Sequence, residues 1–164
     1  MTDISEEQYD YFVTHKVVRN AKLLLSIARG VPILNISWIE DCQKQNKFVQ
    51  PLDKHYLDDK DYSKEWSNFN FKKAWQSKEN KIFAEMVFWA TPGAYKLLSQ
   101  DYMRLIIEAS GGELTDNKAE STHIVFEGGK KKTKTDQKLK QTFVELDFVF
   151  VSVMQQSLTD EFIL

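Results

Sequence analysis

The chain has 164 residues and a formal net charge of −2, so no global excess of positive charge draws it to nucleic acid or to an anionic membrane. An apolar share of 42% with 13% aromatics suffices for a packed core and excludes a wholly disordered chain. No apolar run approaches the ~20 residues of a membrane span, the acidic start lacks a signal-peptide pattern, and the single cysteine, Cys42, forms no internal disulfide, which suits a reducing nuclear or cytosolic compartment.

In chain order, Tyr11-Phe12-Val13-Thr14 reads as a short strand, and residues 19–38, RNAKLLLSIARGVPILNISW, follow as a helix, a stop, a strand and a second helix start. Asn20 is placed to cap the first helix, which Gly30 and Pro32 end. Arg19, Lys22, Ser26 and Arg29 share one face at helical spacing, with Leu23, Leu24, Ile27 and Ala28 opposite. Two cations beside the free N–H groups of a helix start make a reasonable anion site, although spacing alone favours a solvated helix face. Pro32-Ile33-Leu34-Asn35 is the strand, and Ser37 is the expected cap of a helix beginning at Trp38.

Residues 46–68 change character, with Pro51, Asp53, Asp58, Asp59 and Asp61 among Lys and Tyr, as in an irregular connector. Phe69, Phe71, Ala74 and Trp75 then suggest a short amphipathic helix. A second unit starts near Ile82 with the strand 86–90, closed by the turn signal Thr91-Pro92-Gly93. A helix over 99–109 follows, capped by Ser99 and stopped by Gly111-Gly112, with Tyr102, Leu105, Ile106 and Ala109 on its inner face. Strands at 113–114, 123–126 and 142–144 lead to a last helix with Asp147 as its expected cap.

Residues 33–39 and 143–149 repeat one pattern: a strand, a cap, and an aromatic (Trp38, Phe148) on the first turn of a helix. Strand–helix alternation at this pitch predicts an α/β fold of two small three-layer units with parallel sheets.

These residues resemble tandem BRCT modules, in particular the C-terminal pairs of DNA-damage mediator scaffolds of the MDC and PTIP type. The resemblance is carried by Thr14-His15, Arg19-Asn20-Ala21-Lys22, Ile27-Ala28-Arg29-Gly30, Ile33-Leu34 and Ser37-Trp38-Ile39. In the second unit it is carried by Thr91-Pro92-Gly93, Gly111-Gly112 and residues 146–153. It implies four-stranded parallel sheets, with residues 1–50 a partial first repeat, 51–80 a linker with a short helix, and 81–164 the second repeat. It further implies a non-enzymatic scaffold of the nucleus without cofactors, docking on a phosphoserine or phosphothreonine partner such as a phosphorylated histone tail, among chromatin-associated repair proteins. Lys22 matches the lysine that bonds phosphate, with Asn20 presenting the helix start. Arg19 matches a residue that holds the peptide main chain or a C-terminal carboxylate. Trp38, Phe148, Gly30, Gly111 and Gly112 match structural positions. The family's first repeat opens with a strand, a helix and a second strand ahead of the segment that residues 9–14 match. Its first strand ends in a Ser/Thr-Gly pair that completes the phosphate pocket, and no such pair stands in the first repeat here. The alternative implied by that gap is a phosphate-independent protein–protein or DNA-associating module, or a non-binding fragment.

Other chemistry is poorly supported. His15, His55 and His123 have no metal-ligand spacing, Cys42 sits in a helix pattern without a coupled base, and Asp58, Asp59 and Asp61 lack the glycine and glutamate of a calcium loop. Gly128-Gly129 before three lysines is no Walker motif. The run Lys130, Lys131, Lys132, Lys134, Lys138 and Lys140 reads as a solvated loop, or as an attraction for nucleic acid or acidic tails, without aromatics for a stacking platform.

Overall fold

The structure, a computed structural model, describes residues 8–17, 19–57, 71–76 (backbone alone for 71–73), 81–129 and 139–164. The chain divides into two units, Met1–Lys78 and Glu79–Leu164.

In the first unit β1 (Phe12–Val13) and β2 (Ile33–Leu34) pair in parallel, Phe12 opposite Ile33 and Val13 opposite Leu34. Parallel neighbours need a crossover, and α1 (Ala21–Ala28) provides it. Leu23, Leu24, Leu25, Ser26 and Ile27 are all buried, so α1 is enclosed nearly all round and not two-faced as the spacing implied. Ser26 tolerates this because its hydroxyl donates to the Lys22 carbonyl at 2.8 Å and meets the Tyr9 hydroxyl at 3.0 Å. Gly30 ends the helix with φ +64, its N–H bonded to the Ile27 carbonyl at 3.0 Å.

Helix α2 spans Ser37–Gln45. Ser37 lies inside it and is not its cap; Asn35 does that work, its Oδ1 accepting the Ser37 N–H at 2.9 Å and the Ser37 hydroxyl. Trp38 is buried and donates its indole N–H to the Val49 carbonyl at 2.8 Å. After α2 the chain returns to the sheet: Asp53–His55 forms a 3-10 turn, Tyr56 bridges Leu34 in antiparallel sense, and Leu57 N–H donates to the Ile33 carbonyl at 3.0 Å. Residues 52–57 are thus ordered against β2 where composition suggested an irregular connector. What fixes them is His55, buried to 1% exposure, whose Nδ1 accepts the Leu52 N–H at 3.0 Å while its Nε2 lies 3.1 Å from Asp41. Helix α3 (Phe71–Gln76) lies against α1, and Trp75 stacks on Tyr56 with ring centroids 5.3 Å apart. Asp58, Asp59, Asp61, Trp66, Phe69 and Lys130 to Lys138 lie outside the described residues, as does the Phe71 side chain.

The second unit holds β3 (Val87–Ala90), α4 (Pro92–Leu97), α5 (Gln100–Ala109), β4 (Glu113–Leu114), β5 (His123–Phe126), β6 (Thr142–Glu145) and α6 (Leu146–Gln155). Its sheet runs β4-β3-β5-β6 with every pair parallel. Thr91-Pro92-Gly93 is the start of α4 and no simple turn: Thr91 Oγ1 accepts the Ala94 N–H at 3.3 Å, and proline suits a first helical position. The inner face of α5 is Met103, Ile106 and Ile107, rotated from the expected set, leaving Tyr102, Leu105 and Ala109 half-buried. Ser99 stands at its N-cap without a side-chain cap bond, and α6 begins at Leu146 with Asp147 already in its first turn. Gly111 adopts φ +87, where a Cβ would meet Lys81 Cβ at 2.6 Å, and a Cβ on Gly112 would meet Phe83 Cβ at 2.9 Å. Phe148 is buried beside Phe83, ring centroids 6.1 Å apart. No helix among the described residues is long and apolar enough to cross a membrane.

Candidate functional site

The turn that opens α1 gathers Arg19, Asn20 and Lys22. Asn20 has extended backbone (φ −140, ψ 164), and its Oδ1 accepts the Leu23 N–H at 2.9 Å. The next bond, Leu24 N–H to the Asn20 carbonyl at 3.2 Å, closes the first helical ring. The amides of Ala21 and Lys22 remain without an intrahelical acceptor, as at any helix start. Lys22 is exposed, while Arg19 is half-buried and already engaged by neighbouring groups. The first turn of α1 contains no acidic residue. A lysine at the positive end of a helix, uncompensated by an acid in that turn, is electrostatically disfavoured until an anion arrives. The Ser26 hydroxyl on the Lys22 carbonyl, locked in turn by Tyr9, fixes the backbone under that lysine.

The second unit carries a contact that sequence reading missed. Thr91 Oγ1 donates to Glu127 Oε2 at 2.8 Å, and the Glu127 carboxylate lies directly over Gly93, where an added Cβ would stand 2.1 Å from it. Thirty-six residues separate Thr91 from Glu127, so no local pattern announces the pair. This corner is filled by the chain's own carboxylate.

The other singled-out groups have structural partners. The Cys42 thiol accepts the Val49 N–H at 3.5 Å. His15 is exposed, and His123 lies between the rings of Phe88 and Phe148. Gly129 has φ +80 and donates its N–H to Glu145 Oε1 at 3.0 Å, while Lys140 is exposed. Among the described residues no group of three His, Cys, Asp or Glu side chains is placed to hold a metal ion. Trp38, Phe148, Gly30, Gly111 and Gly112 lie at packing positions away from the α1 start or in the other unit.

The second unit's parallel sheet, of strand order 2-1-3-4 with a β-α-β crossover and a closing helix, has the BRCT topology, and the first unit shows two parallel strands joined through α1 and followed by α2 among its described residues. Solved structures agree: the BRCT5-BRCT6 domains of S. pombe Brc1 superpose over 91% of this chain and 79% of theirs, with a TM-score of 0.66 at 14% identity. Rtt107p, in a complex with a phosphorylated histone, superposes over 99% of this chain and 79% of its own, with a TM-score of 0.59 at 15% identity. The chain has the tandem BRCT fold. In sequence it is similar to the human mediator of DNA damage checkpoint protein 1, 28% identical over 109 residues, which are 66% of this chain and 5% of that protein. The mouse protein of the same name is 26% identical over 108 residues, 66% of this chain and 6% of that protein. No family model matches the chain.

Proposed function

We propose that this chain is a phosphopeptide-binding scaffold module of the nuclear DNA-damage response, a binding protein and not an enzyme. Its partner is a protein carrying phosphoserine or phosphothreonine, such as a phosphorylated histone tail. The observation that carries the reading is the start of α1: a capped helix end with Lys22 exposed on it and no acid in its first turn. Phosphate carries nearly two charges near neutral pH and accepts bonds from both helix amides and a lysine, whereas an unmodified serine offers neither. In this role Lys22 neutralises the phosphate and Asn20 holds the helix start open to it. Arg19 engages the residues that follow, a planar guanidinium being suited to carbonyls or a carboxylate. The fold supports the reading because Rtt107p, which shares it, has been seen with a phosphorylated histone, and the sequence similarity is to a DNA-damage checkpoint mediator.

Calorimetry with matched phosphorylated and unphosphorylated histone-tail peptides tests this. Binding that requires the phosphate, lost in Lys22→Glu and little changed in Lys130→Glu, is the expected result. Equal loss from both variants replaces the pocket with diffuse electrostatics. Indifference to the phosphate favours the second reading, a phosphate-independent interaction module; what speaks for it is that the first unit has only two strands among its described residues.

A further inference from the structure

Tyr9 stands in an acidic stretch of sequence, with Glu6 and Glu7 ahead of it and Asp10 behind, a setting that many protein tyrosine kinases favour. Gln8 and Asp10 are exposed and Tyr9 is half-buried. Among the described residues, these three make one hydrogen bond in all, that of the Tyr9 hydroxyl to Ser26 at 3.0 Å. They belong to no helix or strand, and backbone bonding to β2 begins at Phe12, whose N–H donates to the Pro32 carbonyl at 3.0 Å. A segment held by a single side chain opens at little cost. Tyr11 is held more firmly, its ring packed on buried Trp38 with centroids 5.1 Å apart.

The seat of the Tyr9 hydroxyl has no room for a charge. Ser26 is fully buried, and its own proton is committed to the Lys22 carbonyl at 2.8 Å, so the proton between the two hydroxyls belongs to Tyr9. Esterifying the Tyr9 oxygen with phosphate removes that proton and adds nearly two negative charges. The surrounding helix buries Leu23, Leu24, Leu25 and Ile27, and an unpaired dianion is not tolerated there. The phosphorylated ring must therefore leave Ser26. Lys22 is the exposed cation one turn nearer the helix start on the same face, the direction in which helical side chains lean. Arg19 and Arg29, also on that face, are already engaged by other groups, and the first turn of α1 carries no acid to oppose an arriving anion.

We propose that Tyr9 is a phosphorylation site whose phosphate pairs with Lys22 in cis and closes the α1 start to a phosphopeptide. In the modifying step, held on a protein tyrosine kinase, the Tyr9 Oη attacks the γ-phosphorus of ATP. The new O–P bond forms as the bond to ADP breaks, and the phenol proton passes to a base of the kinase. The effect on binding rests on the reading of the α1 start as a phosphate site. A phosphate tethered in the same chain faces Lys22 at an effective concentration of about millimolar, which makes it a standing competitor of a peptide in solution.

Treatment of the full chain with a tyrosine kinase, followed by mass spectrometry, is expected to place phosphate on Tyr9, and Tyr9→Phe to lose that mark. The full chain with phosphotyrosine installed at position 9 then gives two further readouts. Its phosphorus resonance is expected to titrate at lower pH than in the Lys22→Gln chain bearing the same group, because a facing ammonium favours the dianion. Its affinity for a phosphorylated histone-tail peptide is expected to fall on the order of tenfold below that of the unmodified chain. Tyr9 left untouched while other tyrosines are phosphorylated, a resonance indifferent to Lys22, or undiminished peptide binding each overturns the proposal. An unmodified chain that ignores the peptide overturns instead the reading of the α1 start, and the phosphorus titration then still decides the pairing with Lys22.

Discussion

Tyr9 and Ser26 meet hydroxyl to hydroxyl at 3.0 Å across seventeen residues of sequence, and because the Ser26 hydroxyl donates to the Lys22 carbonyl, Tyr9 is the donor to Ser26. A relay of two bonds thus ties the segment ahead of β1 to the residue proposed to meet phosphate. Tyr9→Phe and Ser26→Ala are each expected to lower unfolding free energy by about 1 kcal/mol, and the double variant by less than the sum. Urea denaturation of the four proteins checks it; strict additivity would mean the hydroxyls act separately.

Gly93 lies beneath the Glu127 carboxylate, which leaves no room for a methyl group. Gly93→Ala is expected to destabilise by about 1 kcal/mol, because Glu127 must swing away from the Thr91 hydroxyl. In a Glu127→Ala background the obstruction is gone and alanine's helix preference acts alone, so the same substitution should then stabilise by roughly 0.5–1 kcal/mol. Thermal unfolding of the two pairs decides it by the change of sign.

Hydrogen bonding to Lys54, and then to His55, holds the Asp41 carboxyl well below the usual carboxylate range. A depressed carboxylate pKa stabilises the fold above the ordinary value of 3.8, and that stability is lost as pH falls below it through the lowered value. Asp41→Asn is accordingly expected to be less stable than the parent at neutral pH and to lose less on acidification. Acid titrations followed by fluorescence check this; parallel curves for parent and variant would contradict it.

His123 is pushed down from 6.5 by burial among aromatic rings. The folded state favours the neutral imidazole, so its contribution is present above 6.5 and is lost as pH falls through the lowered value. Melting points between about pH 7.5 and about pH 5.5 should therefore fall in the parent and fall less in His123→Phe. A variant with the same pH slope as the parent would rule out His123 as a contributor.

What the sequence made legible was what local chemistry controls. Asn20 as a cap, Gly30 and Gly111 as stops, and the pairing of Trp38 with Phe148 all follow from residue type and spacing, and the tandem architecture follows from their repetition. Reading failed where a distant partner changes a residue's environment. Ser26 looks like a surface position until Tyr9 arrives from upstream to satisfy it. Asn35 and Ser37 are both good caps, and what selects Asn35 is its second set of bonds to residues nineteen and twenty-one further on. Thr-Pro-Gly suits a turn as well as a helix start, and the Glu127 contact that accompanies the helix lies far along the chain. Of the candidate site, the cation spacing and the cap were visible; the burial of the helix beneath them was not.

Asn35 couples two elements in time as well as in space. One amide caps α2 through Ser37 and donates to the carbonyls of Lys54 and Tyr56 at 2.9 and 3.3 Å, while its own N–H donates to the His55 carbonyl at 2.8 Å. Because a single side chain serves both elements, residues 52–57 cannot peel from the sheet edge without also releasing the first turn of α2. The two should open as one kinetic event, with amide protons at both places exchanging at a common rate.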